Sequence, residues 1–262
     1  MLTLDSLRID IEKAREIIKG FIRGMVAGSK TEGVVLGISG GLDSAVLAHL
    51  CVEALGNEKV YGLILPDSRV TPTQDIEDAL DIASELAIKY WYRDISPIID
   101  SFASSEFFVP GHKLALGNLR ARVRMSLLYY VANSRNLLVA GSSDRSELLI
   151  GYFTKYGDGG ADFLPLGDLY KTQVKWMAEN LGVKERVIKK PSSPALWEGQ
   201  TAEGELGIPY ERIDLILHAL FDLRMDPSEL REKFGADVDR VLEMHARSAH
   251  KRATPPIARV RA

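Results

Sequence analysis

Cysteine is almost absent from this sequence: Cys51 is the sole one in 262 residues. A single thiol excludes a disulfide framework and a thiolate zinc site, and it fits a reducing cytoplasm. Long apolar runs are missing too, and no stretch reaches the roughly 20 residues that a membrane-spanning helix requires. No signal peptide is expected, because Asp5 and Asp10 stand where a positive segment belongs and no apolar core of secretory type follows. Neither sign of charge dominates. With 33 Lys and Arg against 36 Asp and Glu, a net charge of −3 gives no field to hold nucleic acid or an anionic membrane. Partners must therefore be met at local sites. Asn and Gln are scarce, five and three, and such thermolabile amides are thinned out in thermophile proteins.

The chain, 46% hydrophobic and 26% charged, is read as one domain over residues 1–262 with a full core. Leu4, Leu7, Ile11, Ala14, Ile18, Phe21, Ile22 and Met25 recur at spacings of three and four, which predicts an amphipathic N-terminal helix within residues 1–30, ended near Gly28. Its polar face mixes both charges, so it reads as a helix packed on the core rather than a membrane anchor. Short apolar runs then alternate with helical periods. Strands are predicted at 34–38, 60–65, 90–92 and 137–140, and helices at 42–55, 73–88 and 116–133. That alternation implies βαβ units and an α/β fold, an open parallel sheet flanked by helices in the Rossmann-like manner. After Gly141 the pattern changes. Residues 151–170 carry five glycines, and residues 190–209 form a second loop rich in Pro, Gly and Ser, expected to be mobile. Helices predicted at 171–181, 210–222 and 226–248 lead into a basic tail at 250–262, so the C-terminal part is a helical extension.

Gly37-Ile38-Ser39-Gly40-Gly41-Leu42-Asp43-Ser44 follows the first strand and opens a helix. In an open α/β sheet, ligands bind at the carboxyl ends of strands. Glycines let backbone N–H groups approach an anion, Ser39 and Ser44 add hydroxyls, and the helix N-terminus supplies unpaired donors and partial positive charge. Asp43 is a poor phosphate ligand by itself and reads as a Mg²⁺ ligand held against a pyrophosphate. A plain strand-turn-helix explains the two glycines but not two serines and an acid in this frame. The loop is not a Walker A motif, which ends in Gly-Lys-Ser/Thr, nor does it have G-x-G-x-x-G spacing.

These residues resemble the SGGxDS loop of the N-type ATP pyrophosphatases, whose fold is adenine nucleotide alpha hydrolase-like and whose chemistry splits ATP to AMP and pyrophosphate. Further along, Gly117-Asn118-Leu119-Arg120-Ala121-Arg122-Val123-Arg124-Met125 is similar to a helix of the NAD synthetase family. So are Gly141–Glu147, the run Gly151–Asp162, Tyr170–Gln173, Pro191-Ser192, Gly199-Gln200-Thr201 and His250-Lys251-Arg252. The resemblance spans residues 15–255. It implies an ammonia-dependent, AMP-forming ligase in which ATP adenylates the carboxylate of deamido-NAD⁺ and ammonia then displaces AMP.

Carried over residue by residue, the resemblance gives ATP to residues 37–44, Ser142, Lys171 and Ser192, and Mg²⁺ to Asp43 and Glu147. It gives deamido-NAD⁺ to Arg122, Lys155, Asp162, His250 and Lys251, with Asp43, Lys171 and Asp158 as catalytic candidates, Asp158 toward ammonium. It also implies a homodimer, and the large apolar N-terminal helix suits such a contact. Each side chain has an ordinary use as well. Glu147 equally complements a helix dipole, Lys155, Lys171 and Lys251 equally sit in solvent, and Asp158 equally belongs to a turn. The three arginines at 120, 122 and 124 equally pair with acids of a neighbouring helix. Ala202 stands where the family has Asp, which costs about 1 kcal/mol if that residue caps the following helix. The Pro66–Arg69 segment departs from the family's pattern at the adenine side. Cys51 lies inside a helix and is no glutamine-hydrolysing nucleophile, so the nitrogen donor is free ammonia or ammonia from a partner. A tRNA-modifying enzyme with the same loop would carry a cysteine pair or a basic extension, and a non-catalytic regulator would not need Asp43, Glu147 and Lys171 together.

Overall fold

The computed structural model describes residues 2–260; Met1 and the last two positions of the predicted tail lie outside the described residues. The first half runs α1 (Ile11–Ser29), β1 (Gly33–Gly37), α2 (Leu42–Leu55), β2 (Val60–Ile64), α3 (Thr73–Glu85), β3 (Lys89–Tyr92), α4 (Ser96–Ala103), α5 (Lys113–Arg135) and β4 (Leu137–Val139). The second half holds α6 (Arg145–Ile150), α7 (Lys171–Asn180), α8 (Glu185–Ile188), α9 (Ala202–Leu206), α10 (Tyr210–Leu217), α11 (Pro227–Phe234) and α12 (Asp237–Arg247).

The four strands pair in parallel in the order β3-β2-β1-β4. Side chains of β1 alternate between faces, as a strand's period of two requires. Val34, Leu36 and Ile38 pack with α1, α2, α3 and α7, whereas Val35 packs with α4 and α5. Successive strands step from β1 outward to β3, and β4 then returns to the other side of β1. The chain direction thus switches between β1 and β4, which opens a crevice at their carboxyl ends. Both the 37–44 loop and the 140–147 segment leave the sheet there.

The C-terminal extension is built around a core of its own, in which Ile213, Ile216, Leu217, Leu230, Phe234, Val238 and Val241 meet Leu7 and Ile150. Several expectations are corrected in detail. Leu4–Leu7 is a separate 3₁₀ turn, because Asp10 caps α1 by accepting from Lys13 N at 3.0 Å. The apolar face of α1 packs on α2 and α7 through buried Ile18, Ile22 and Val26, while Phe21 of that face is 43% exposed. The stretch 226–248 is two helices, broken where Gly235 takes φ 60°. Loop 190–209 contains α9, and α4 has no counterpart in the prediction.

Candidate active site

The phosphate loop is shaped before any ligand reaches it. Ser39 N donates to Ser44 Oγ at 3.2 Å, Ser44 Oγ donates to Gly41 O at 3.0 Å, and Gly41 N donates to Ser39 Oγ at 3.3 Å. Gly40 has φ 77°, and a Cβ there would stand 2.1 Å from Asp75 O, so the N-terminus of α3 packs against bare loop backbone. Lys190 ties the same place from the other side, donating to Gly40 O at 3.0 Å, Asp75 Oδ1 at 2.7 Å and buried Asp78 Oδ2 at 2.6 Å.

Beside the loop, one lysine is enclosed by three acids. Lys171 Nζ lies 2.8 Å from Asp43 Oδ2, 2.8 Å from Asp144 Oδ2 and 2.9 Å from Glu147 Oε1. Its side chain is 1% exposed, against 21% for Asp43 and 16% for Glu147, so the ammonium stands behind these two acids as seen from the cavity. Burial alone would lower the Lys171 pKa, but the three carboxylates overcome it and hold the lysine well above its usual range. Burial pushes Asp144 and Glu147 upward, only partly countered by the lysine. One ammonium cannot neutralise three carboxylates, and Asp43 Oδ1 is buried without a hydrogen-bond partner. The backbone beneath is fixed. Lys171 N donates to Ser146 Oγ at 2.9 Å, while buried Asp214 accepts from Ser146 Oγ at 2.5 Å and from Thr172 N at 2.8 Å.

Asp144 was not singled out from the sequence, although its signal was present. Asp144-Arg-Ser-Glu147 is a capping box, and α6 uses it as one, with Glu147 N donating to Asp144 Oδ1 at 2.8 Å. No group of three or more His, Cys, Asp or Glu among the described residues is disposed to hold a metal by itself. Asp43 and Glu147 offer two carboxylates, and Mg²⁺ is usually bound by one or two carboxylates completed by phosphate and water.

A cavity of about 570 Å³ connects these parts. Its walls include Ser39, Asp43 and Ser44 from the phosphate loop, then Ser142, Glu147, Asp158, Ser192 and Lys251. One flank is apolar, with Leu63, Ile64, Leu65, Pro66, Ile76 and Ala79. The glycine-rich run after α6 forms another wall, held by the tail: Lys251 Nζ donates to Gly151 O at 2.7 Å and Phe153 O at 2.6 Å. Asp158 accepts from Thr154 N at 2.9 Å, and burial raises its pKa against the pull of that bond and of Lys251. Glu205, which belongs to a stretch similar to the family but has no role assigned from the sequence, accepts from the Tyr152 hydroxyl and from Gln200 Nε2 at 3.1 Å and faces the same space.

Four predicted substrate residues do not line this cavity. Arg122 donates to Lys155 O at 3.3 Å, and Lys155 Nζ donates to His250 O at 2.7 Å, a group on the outer surface. Asp162 instead accepts from Val139 N at 2.7 Å and from Tyr129 Oη at 3.1 Å. The arginines of α5 divide by direction. Arg120 is buried and pairs with buried Asp67 at 2.7 Å, Arg122 is outside, and Arg124 is on the cavity wall. Arg120 also donates to Leu196 O at 2.7 Å, which anchors the 190–209 loop. Ala202 is buried, and Thr201 rather than residue 202 caps α9. The missing Asp therefore costs no cap.

The family model described as NAD synthase matches residues 14–255. The NH(3)-dependent NAD(+) synthetase of Staphylothermus marinus is 50% identical over 256 residues, covering 97% of this chain and 93% of its own length. Among solved structures, an NH3-dependent NAD synthetase from Campylobacter jejuni superposes with a TM-score of 0.82 at 35% identity, covering 96% of this chain and 100% of that one. An NMN synthetase from Francisella tularensis gives 0.85 at 34%, covering 96% and 99%. With the phosphate loop, the acid-enclosed lysine and the glycine-rich wall all inside the matched span, the chain belongs to the NAD synthase family.

Proposed function

We propose that this enzyme amidates deamido-NAD⁺ to NAD⁺ with ATP and ammonia. In the first half-reaction a carboxylate oxygen attacks the α-phosphorus of ATP and pyrophosphate leaves, giving an acyl adenylate. In the second, ammonia adds to the acyl carbon, AMP leaves with the bonding pair and a proton is lost. A carboxylate is a poor electrophile, and the adenylate makes its carbon reactive. The observation that carries this reading is the opening of the 37–44 loop and the 151–160 loop onto one cavity.

The apolar flank at Leu63–Pro66 suits a purine, with the loop amides, Ser142 and Ser192 toward the phosphates. Mg²⁺ fits at Asp43 and Glu147, where carboxylate exceeds ammonium and Asp43 Oδ1 has no donor. When bound, the ion would neutralise charge on the pyrophosphate leaving group. Lys171 orients both acids from behind and becomes a phosphate contact only by leaving one of them. Asp158, kept above its usual range, suits the exchange of a proton with ammonium beside the acyl carbon. Burial pushes the Cys51 thiol up to about 12, so this chain has no thiolate for glutamine hydrolysis and takes ammonia itself. The same single buried thiol supports a cytoplasmic setting.

Arg122, Lys155, Asp162 and His250 lie beyond the cavity wall and would meet deamido-NAD⁺ where it emerges. A homodimer would cover them. We place its contact on α5 and the segment before it, where Phe107, Val109, Leu114 and Tyr130 are exposed, and not on α1.

The test is to incubate protein, MgATP and ammonium with deamido-NAD⁺ or with nicotinate mononucleotide, and to measure AMP, pyrophosphate and the amide. The second acceptor is included because of the likeness to the Francisella NMN synthetase. Pyrophosphate and NAD⁺ formed together from deamido-NAD⁺ support the proposal. Amide formed only from the mononucleotide overturns its substrate.

A further inference from the structure

Of the three arginines at 120, 122 and 124 only Arg120 is paired with an acid, and Arg124 is the unpaired one that lines the cavity. Arg120 has buried Asp67 at 2.7 Å. Arg122 reaches the surface. Arg124 donates Nε to Leu65 O at 2.9 Å and makes no other hydrogen bond or ion pair among the described residues. It is half-buried and lines the cavity. Burial draws its guanidinium down to about 10, so it still carries its charge at neutral pH. Asp67 is already engaged by Arg69 and Arg120, and Asp158 accepts from Thr154 N, so the two nearest acids leave Arg124 unpaired.

An unpaired, half-buried guanidinium costs folding free energy unless a ligand supplies the anion. Its fork of donors matches two oxygens of one phosphoryl or carboxylate group. Place in the fold narrows the choice. Leu65, which holds Arg124 Nε, ends the apolar flank suited to the purine, and Asp158 on the opposite loop is close enough to influence Arg124 electrostatically. Between a purine and the acyl carbon lies the α-phosphoryl group. The pyrophosphate itself belongs to the 37–44 loop, farther along the cavity.

We propose that Arg124 is a catalytic residue that binds the α-phosphoryl oxygens during adenylation and stabilises AMP as the leaving group. The proposal rests on the adenylation reading above. In the first half-reaction the arginine would meet charge at the phosphorus under attack; in the second, charge that returns to AMP as the C–O bond breaks. No proton leaves Arg124 in either.

The test separates chemistry from architecture by using Arg124→Met, which keeps the length of the side chain, with Arg124→Ala and Arg124→Lys beside it. Exchange of labelled pyrophosphate into ATP with deamido-NAD⁺ reads the first step without ammonia. We expect both neutral variants to lose at least about 100-fold in exchange rate and in kcat. KM for ATP should move little, and lysine should restore part of the rate. Their melting temperatures should equal or exceed that of the parent, since an unpaired charge has been removed. The inference is overturned if Arg124→Met exchanges within about tenfold of the parent. It is also overturned if both neutral variants melt lower and lose only KM, which is the result of a purely structural bond to Leu65. Should the parent itself exchange no pyrophosphate with any nicotinate acceptor, the adenylation reading falls first and takes this inference with it.

Discussion

At the scale of single residues, the site is a set of charges kept where folding would prefer fewer of them. Asp158→Asn keeps an acceptor for Thr154 N and removes a charge that the fold disfavours. The sign of its pH effect follows from the raised pKa: the folded state disfavours the ionised form, so this residue's contribution falls as pH rises from the unfolded value near 4 through the raised folded one. The variant should therefore gain stability relative to the parent over that rise, and lose turnover, as denaturant titrations at several pH values and a rate assay will show. Lys171→Met leaves Asp43, Asp144 and Glu147 facing one another without their cation, and should cost about 3–5 kcal/mol of stability as well as activity. Much of the site was legible as residue types in a frame, because glycines, serines and acids have few reasons to cluster as they do at 37–44. What was not legible is direction. Arg120, Arg122 and Arg124 have the same chemistry and adjacent numbers, and only the position of α5 on the sheet sends one to a buried acid, one to the surface and one to the cavity.

At the scale of elements, the strands and the helices that cross between them were readable, since their apolar periods are strong; α2 falls where its pattern put it, at Leu42–Leu55. Elements set by local bonds between side chain and backbone were not. Just before α4, whose N-cap Ile95 makes no side-chain bond, Asp94 accepts from Ser96 N at 2.9 Å and from Ser68 Oγ at 2.7 Å, which keeps its carboxyl at about 2 against the opposing effect of burial. A depressed carboxyl stabilises the fold above the unfolded pKa and loses that effect as pH falls through about 2. Asp94→Ala should lower stability by about 1–3 kcal/mol near neutral pH, and the gap between variant and parent should close in acid melts. The 190–209 loop is docked by three distinct contacts, through Lys190, through Arg120 and against Gly117, where a Cβ would come within 3.1 Å of Leu196 and 3.2 Å of Trp197. Gly117→Val should therefore displace Leu196 and Trp197, raise KM for ATP and leave the sheet intact, measurable by steady-state kinetics with circular dichroism as the control.

At the scale of the whole molecule, Phe107 and Tyr130 are 80% and 73% exposed, a large apolar display for a monomer. Sedimentation of Tyr130→Glu should give a lighter species than the parent if α5 is the pairing face; an unchanged coefficient would move that face elsewhere. The molecule is also closed by its far end. Lys251 reaches back 98 positions to Phe153 O, and the neighbouring Arg252 donates to Leu148 O at 3.1 Å and Leu149 O at 3.0 Å. During synthesis the sheet, the phosphate loop and the enclosed lysine can all form while residues 251 and 252 are still being added. The glycine-rich wall cannot be tied down until they emerge from the ribosome. A nascent chain would thus bury the core around its sheet first, close the core of the C-terminal extension as Val238 and Val241 appear, and become competent to consume ATP last.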